Sequence, residues 1–101
     1  MAVLMTLRTQ GDPVKLEEYA SQNQEQMAAI ADRGRAAGAL SHRFYGSDDG
    51  TILVVDEWDS PESFRSFFEA DEEIPKMMEA VGVTSEPEVS FWRKLQTHDE
   101  F

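Results

Sequence analysis

The chain has 101 residues, 20 of them acidic and 9 basic, for a formal net charge of −11. That length suits one domain with one modest core, burying roughly 60–70% of the unfolded surface. A field of that sign repels phosphate backbones and anionic lipid, so nucleic acid and membrane are not expected partners, and the lack of cysteine excludes disulfides, thiolate catalysis and cysteine–metal sites.

Met1 to Leu7 is apolar but short and lacks a basic leader, so it reads as a strand and not as a signal peptide. No apolar run approaches membrane-spanning length, and a cytoplasmic location is expected. The first strand spans Ala2 to Arg8. Asp12-Pro13 then caps a long helix whose stripe of Leu16, Tyr19, Ala20, Met27, Ile30 and Ala31 has helical spacing, fading around Gly34 to Gly38. Ala39 to Gly46 is the second strand, turned by Ser47-Asp48-Asp49-Gly50 into a third from Thr51 to Trp58. This third strand is apolar on both faces: Ile52 and Val54 point one way, Leu53 and Val55 the other. Ser60 is a good N-cap and Pro61 fits the first helical position, so a second helix runs to about Ala70 with Phe64, Phe67 and Phe68 inward. A short helix from about Glu72 to Val81 tolerates Pro75 in its first turn. A last strand, Glu88 to Leu95, completes a single domain over residues 1–95, and 96–101 form a polar tail.

Strand, helix, strand, strand, helix, short helix, strand is the ferredoxin-like order, an α+β fold with a four-stranded antiparallel sheet. Its main helices cover one sheet face. The other face is also apolar in the first and third strands, and an uncovered apolar face is unusual for a soluble monomer. A homodimer packed sheet face to sheet face is therefore expected.

The segment Glu57-Trp58-Asp59-Ser60-Pro61-Glu62-Ser63-Phe64, following an acidic-ended strand, resembles the small dimeric α/β-barrel proteins of the antibiotic biosynthesis monooxygenase superfamily. The likeness in element order spans nearly the whole chain; the sharp match covers about fifteen residues. It implies a ligand pocket between sheet and helices and the activities of that superfamily: cofactor-independent oxygenation of aromatic or quinol substrates, or haem degradation. Haem degradation is not expected, because the tryptophan and haem-ligating histidine of that branch fall here on Phe67 and Met77, and its first-strand asparagine has no counterpart among Leu4 to Leu7. The histidines that many oxygenase-like members carry near Phe67 and Glu72 are also missing.

A two-residue Asp49-Gly50 loop would set His42 opposite Glu57 and Arg43 opposite Asp56. His42 with Glu57 is then a candidate base, or simply a cross-strand polar pair. Arg43, Tyr45, Asp56 and Trp58 offer a cation, a phenol, a carboxylate and an aromatic wall for a planar oxygenated ligand; the alternative is an Arg43–Asp56 ion pair with Trp58 as core. Asn23 lies on the apolar stripe and could hold a ligand carbonyl, while Phe67 and Met77 roof the pocket or pack as core. Arg93 is an outside anchor for an anion. With only His42 and the tail residue His98 available, no metal site is expected, nor any other cofactor. The candidate set is thus His42 and Tyr45 as catalytic groups, with Asn23, Arg43, Asp56, Trp58, Phe67 and Met77 on a small apolar or aromatic ligand. A cofactor-independent monooxygenase-like enzyme, a non-catalytic binding module and a pocketless assembly unit all fit this set.

Overall fold

A computed structural model describes residues 2–101; Met1, part of the apolar opening segment, lies outside the described residues. Its elements are β1 (Val3–Gln10), α1 (Pro13–Gln22), α2 (Gln24–Ala37), β2 (Ala39–Gly46), β3 (Thr51–Trp58), α3 (Pro61–Ala70), α4 (Glu73–Ala80) and β4 (Glu88–Trp92). The four strands form one antiparallel sheet in the order β2-β3-β1-β4. The fold is α+β and ferredoxin-like.

The starts of the helices follow the local chemistry. Asp12 accepts from the Val14 and Lys15 amides at 2.9 and 3.5 Å, with Pro13 at the first helical position. Ser60 accepts from Ser63 N at 3.2 Å, with Pro61 following. Gly38 ends α2 at φ 126°, where a Cβ would sit 2.6 Å from the Asp59 carboxylate, so only glycine lets the chain turn into β2 beside the end of β3. Asp71 fastens the far side of the helical layer. It accepts from the Arg33 guanidinium at 2.8 and 3.3 Å and from the amides of Glu73 and Ile74 at 3.0 and 3.2 Å, joining α2 to the start of α4. The Arg33 bond, aided by the two amides, holds the Asp71 carboxyl below the ordinary aspartate range.

Three expectations are corrected. The long first helix breaks at Asn23, which has φ −132° and ψ 44° and serves as C-cap of α1 and first flank of α2. Its side chain donates to Tyr19 O at 2.9 Å, an alternative to continuing the helix that asparagine readily takes. The hairpin loop has three residues, not two: Ser47 N bonds Thr51 O at 2.9 Å around Asp48, Asp49 and Gly50, with Gly50 at φ 87°. This odd count flips β2 relative to β3, so His42 faces Asp56, not Glu57, and Arg43 faces Val55, not Asp56. The last strand stops at Trp92, short of Leu95.

The core lies between the helices and one sheet face, in two adjoining clusters. Met5, Leu7, Val54, Trp58 and Phe64 form one; Leu16, Ile52, Met77 and Val81 form the other. The opposite sheet face carries half-buried Leu53 and Val55 among exposed Leu4, Tyr45 and Trp92. No helix among the described residues is long and apolar enough to cross a membrane.

Candidate functional site

Asp56 and Trp58 are two apart on β3, so both turn toward the helices, and the three-residue loop brings His42 to the same face. The Asp56 side chain is only 7% exposed. One of its oxygens meets His42 Nδ1 at 2.7 Å, and the other accepts from Trp58 Nε1 at 3.0 Å. A buried carboxylate is costly unless hydrogen-bonded, and here each oxygen has a partner. In neutral His42 this contact places the ring proton on Nδ1 and the lone pair on Nε2. The imidazole is further set by an edge-on contact with the Phe44 ring at 4.9 Å between centroids. Its side chain is 43% exposed, whereas the Trp58 side of the chain lies in the core. His42, Asp56 and Trp58 thus form a hydrogen-bonded line from solvent to interior.

This line borders a cavity of about 120 Å³ between sheet and helices, walled mainly by apolar groups such as Met27, Ile30, Phe67 and Met77. Pockets for drug-sized ligands run roughly 300–1,000 Å³, while an apolar cavity of about 150 Å³ accepts benzene. The space therefore suits one ring. Two local features shape it. Gly34 of α2 presents no side chain; a Cβ there would stand 3.5 Å from the Phe67 ring. Phe67 in turn leans on Trp58 at 5.6 Å between centroids, and Phe64 meets the same indole edge-on at 5.5 Å.

Five of the eight candidate residues, His42, Asp56, Trp58, Phe67 and Met77, line this one cavity. The structure does not bring the other three to it. Tyr45, 53% exposed, and Arg43 lie on the opposite sheet face, because the register places them with Leu53 and Val55. Asn23 is spent on the α1–α2 junction. Glu57, the expected partner of His42, is exposed on the open face, and Arg93 is exposed just beyond β4. The sequence reading missed the His42–Asp56 pair and the wall position of Gly34. A three-residue loop, with Gly50 in the left-handed position, was the signal for the first; a glycine inside a helical stripe was the signal for the second.

A second, larger groove of about 1070 Å³ opens at the hairpin end of the sheet. It is wide and partly walled by Asp12, Glu17, Asp48 and Asp49, and it lacks the enclosed apolar surface that holds a small ligand. No group of three or more His, Asp or Glu side chains among the described residues is placed to hold a metal ion.

Neither a protein-family model nor a curated protein matches the sequence. Solved structures do match over nearly the whole chain. SnoaB, a cofactor-independent oxygenase from Streptomyces nogalater, is 19% identical with a TM-score of 0.63, covering 98% of each chain. The ActVA-Orf6 monooxygenase of Streptomyces coelicolor, solved with nanaomycin D, is 23% identical with a TM-score of 0.64, covering 95% of this chain and 89% of its own. A dimeric ferredoxin-like protein from an uncultured marine organism is 17% identical with a TM-score of 0.64, covering 99% of this chain and 93% of its own. The chain shares the ferredoxin-like fold of antibiotic biosynthesis monooxygenase-like proteins.

Proposed function

We propose that the chain is a cofactor-independent monooxygenase-like protein that takes a small aromatic or quinone-like molecule between sheet and helices. The observation that carries this reading is the His42–Asp56–Trp58 line at the edge of an apolar cavity. His42 Nε2 takes the proton of a bound phenol, and Asp56 steadies the imidazolium that forms. Trp58 holds Asp56 in place from behind and is a positioning residue. The electron-rich anion left in the cavity is the species that reacts with dioxygen. For a simple phenol, one dioxygen enters, and a quinone and one water leave, which balances both oxygen atoms and all hydrogens. The apolar walls exclude the bulk water that would stabilise the anion and slow its oxidation.

The working unit in this reading is a homodimer closed through the open sheet face. Leu4, Tyr45 and Trp92 are 39%, 53% and 54% exposed there, a row of large apolar groups that a second copy would cover. Likeness to oxygenases at 19–23% identity supports the fold and, through it, the reaction class offered here.

Oxygen uptake with a panel of phenols and quinols tests the reading. The wild-type chain should consume oxygen with at least one of them, and His42→Gln, whose amide cannot take up the proton, should lower the rate by about 10²–10⁴-fold. Uptake that ignores the substitution would overturn the role of His42. Binding without uptake would leave a non-catalytic binding module in its place.

A further inference from the structure

We infer that the cavity selects a neutral, single-ring molecule carrying one hydrogen-bonding group, in the manner of an alkylphenol, and rejects fused-ring and dihydroxylated aromatics. The inference deepens the proposed function and rests on the same cavity.

Three observations converge on it. The first is volume: about 120 Å³ is close to the space that takes benzene and leaves none for a second fused ring. The second is the state of the polar groups on the walls. Thr9 Oγ1 is engaged with Ser85 at 3.2 Å, the Trp58 N–H is given to Asp56, and each Asp56 oxygen already accepts a bond. Among the described residues, His42 Nε2 is the side-chain nitrogen or oxygen of the lining residues that has no protein partner. A ligand with one hydroxyl can meet it, whereas a second hydroxyl at the far end of the ring would face Phe67, Met77 and Ile30 and lose its water without replacement. The third is charge. A carboxylated ring would bring its negative charge beside buried Asp56 in a chain of net charge −11, so the ligand is neutral.

Phe67 is the residue that sets the size limit. Its ring lies on the cavity wall, 5.6 Å from the Trp58 ring between centroids and 3.5 Å from where a Cβ on Gly34 would stand. Shortening it enlarges the cavity there, and adding a methyl group at Gly34 narrows it.

Anaerobic calorimetric titration with 4-methylphenol, toluene, hydroquinone and 1-naphthol tests the selection without turnover. The wild-type chain should bind 4-methylphenol at least about tenfold more tightly than each of the other three, since one unmatched group or one excess ring element is worth that much or more. His42→Ala should erase the advantage over toluene. Phe67→Leu should improve 1-naphthol by about tenfold, and Gly34→Ala, which has room for its methyl group and keeps its helix, should weaken 4-methylphenol. Equal or tighter binding of 1-naphthol or hydroquinone by the wild-type chain, or no binding of 4-methylphenol, overturns the inference. The two proposals fail separately. Selective binding of 4-methylphenol without oxygen uptake sinks the oxygenase reading alone, and uptake confined to fused-ring quinols sinks the size limit alone.

Discussion

Removing the Asp56 carboxylate tests whether the His42–Asp56–Trp58 line exists as drawn. In Asp56→Ala, the indole N–H of Trp58, in a residue only 1% exposed, loses its 3.0 Å acceptor. An orphaned buried donor costs about 1–3 kcal/mol. His42, with its side chain 43% exposed, can turn to solvent and adds little. Relief from burying a carboxylate offsets part of the loss, leaving a net destabilisation of about 2 kcal/mol. In a domain of this length that lowers Tm by on the order of 10 °C. The decisive measurement is a double-mutant cycle with Trp58→Phe, read by urea denaturation. Phenylalanine keeps most of the ring packing against Phe64 and Phe67 but has no N–H to orphan. The cost of Asp56→Ala should therefore fall by about 1 kcal/mol or more in the Trp58→Phe background. Additive costs, within about 0.5 kcal/mol, would show that the carboxylate and the indole are not bonded.

Three further outcomes follow from other parts of the molecule. Gly34→Ala should stabilise the fold by about 0.5–1 kcal/mol through helix propensity, because its Cβ meets Phe67 and Ala39 at 3.5 and 4.0 Å, ordinary contact distances; thermal melts that move downward would contradict it. Asp71 is held below the ordinary aspartate range, so its contribution to stability is complete above the unfolded value near pH 4 and disappears as pH falls through the lower folded value. The stability gap between wild type and Asp71→Asn should thus be constant from about pH 7 to 5 and close below about pH 4, while Asp71→Ala should lose about 1 kcal/mol more, with the cap on Glu73 and Ile74; a gap that widens in acid would reverse the sign of the argument. Val55→Glu puts a charge on the open sheet face, away from the core, and should turn a dimer into a folded monomer in analytical ultracentrifugation with an unchanged circular dichroism spectrum. A dimer that survives this change would place the interface elsewhere.

The segment from Thr51 to Phe64 was legible because each of its signals is local: two-faced apolarity for a central strand, then Ser60 and Pro61 to start a helix. The element order and the apolar open face followed from the same kind of pattern. The break at Asn23 was not legible. The apolar stripe continues in phase across it, and no glycine or proline marks it; the one hint is the polar run Ser21-Gln22-Asn23-Gln24, which offers no apolar side chain to hold the helix straight. The site suffered most from a single ambiguous residue count. Asp-Gly ends both a two-residue and a three-residue hairpin loop, and choosing between them exchanges the faces of His42 and Arg43. Phe67 and Met77 were placed at the cavity because helical spacing decides their direction without reference to the loop; strand alternation put Trp58 and Asp56 on one face but left open whether that face looks toward the helices. Tyr45 and Arg43 were carried to the wrong face by the register alone.

A crystal structure of the chain with 4-methylphenol, grown and frozen without oxygen, tests the central claim most directly. The ring should lie between Trp58, Phe67 and Met77, with its hydroxyl within about 3 Å of His42 Nε2. A cavity filled by the protein's own side chains, with the phenol on the open sheet face or nowhere, would contradict it.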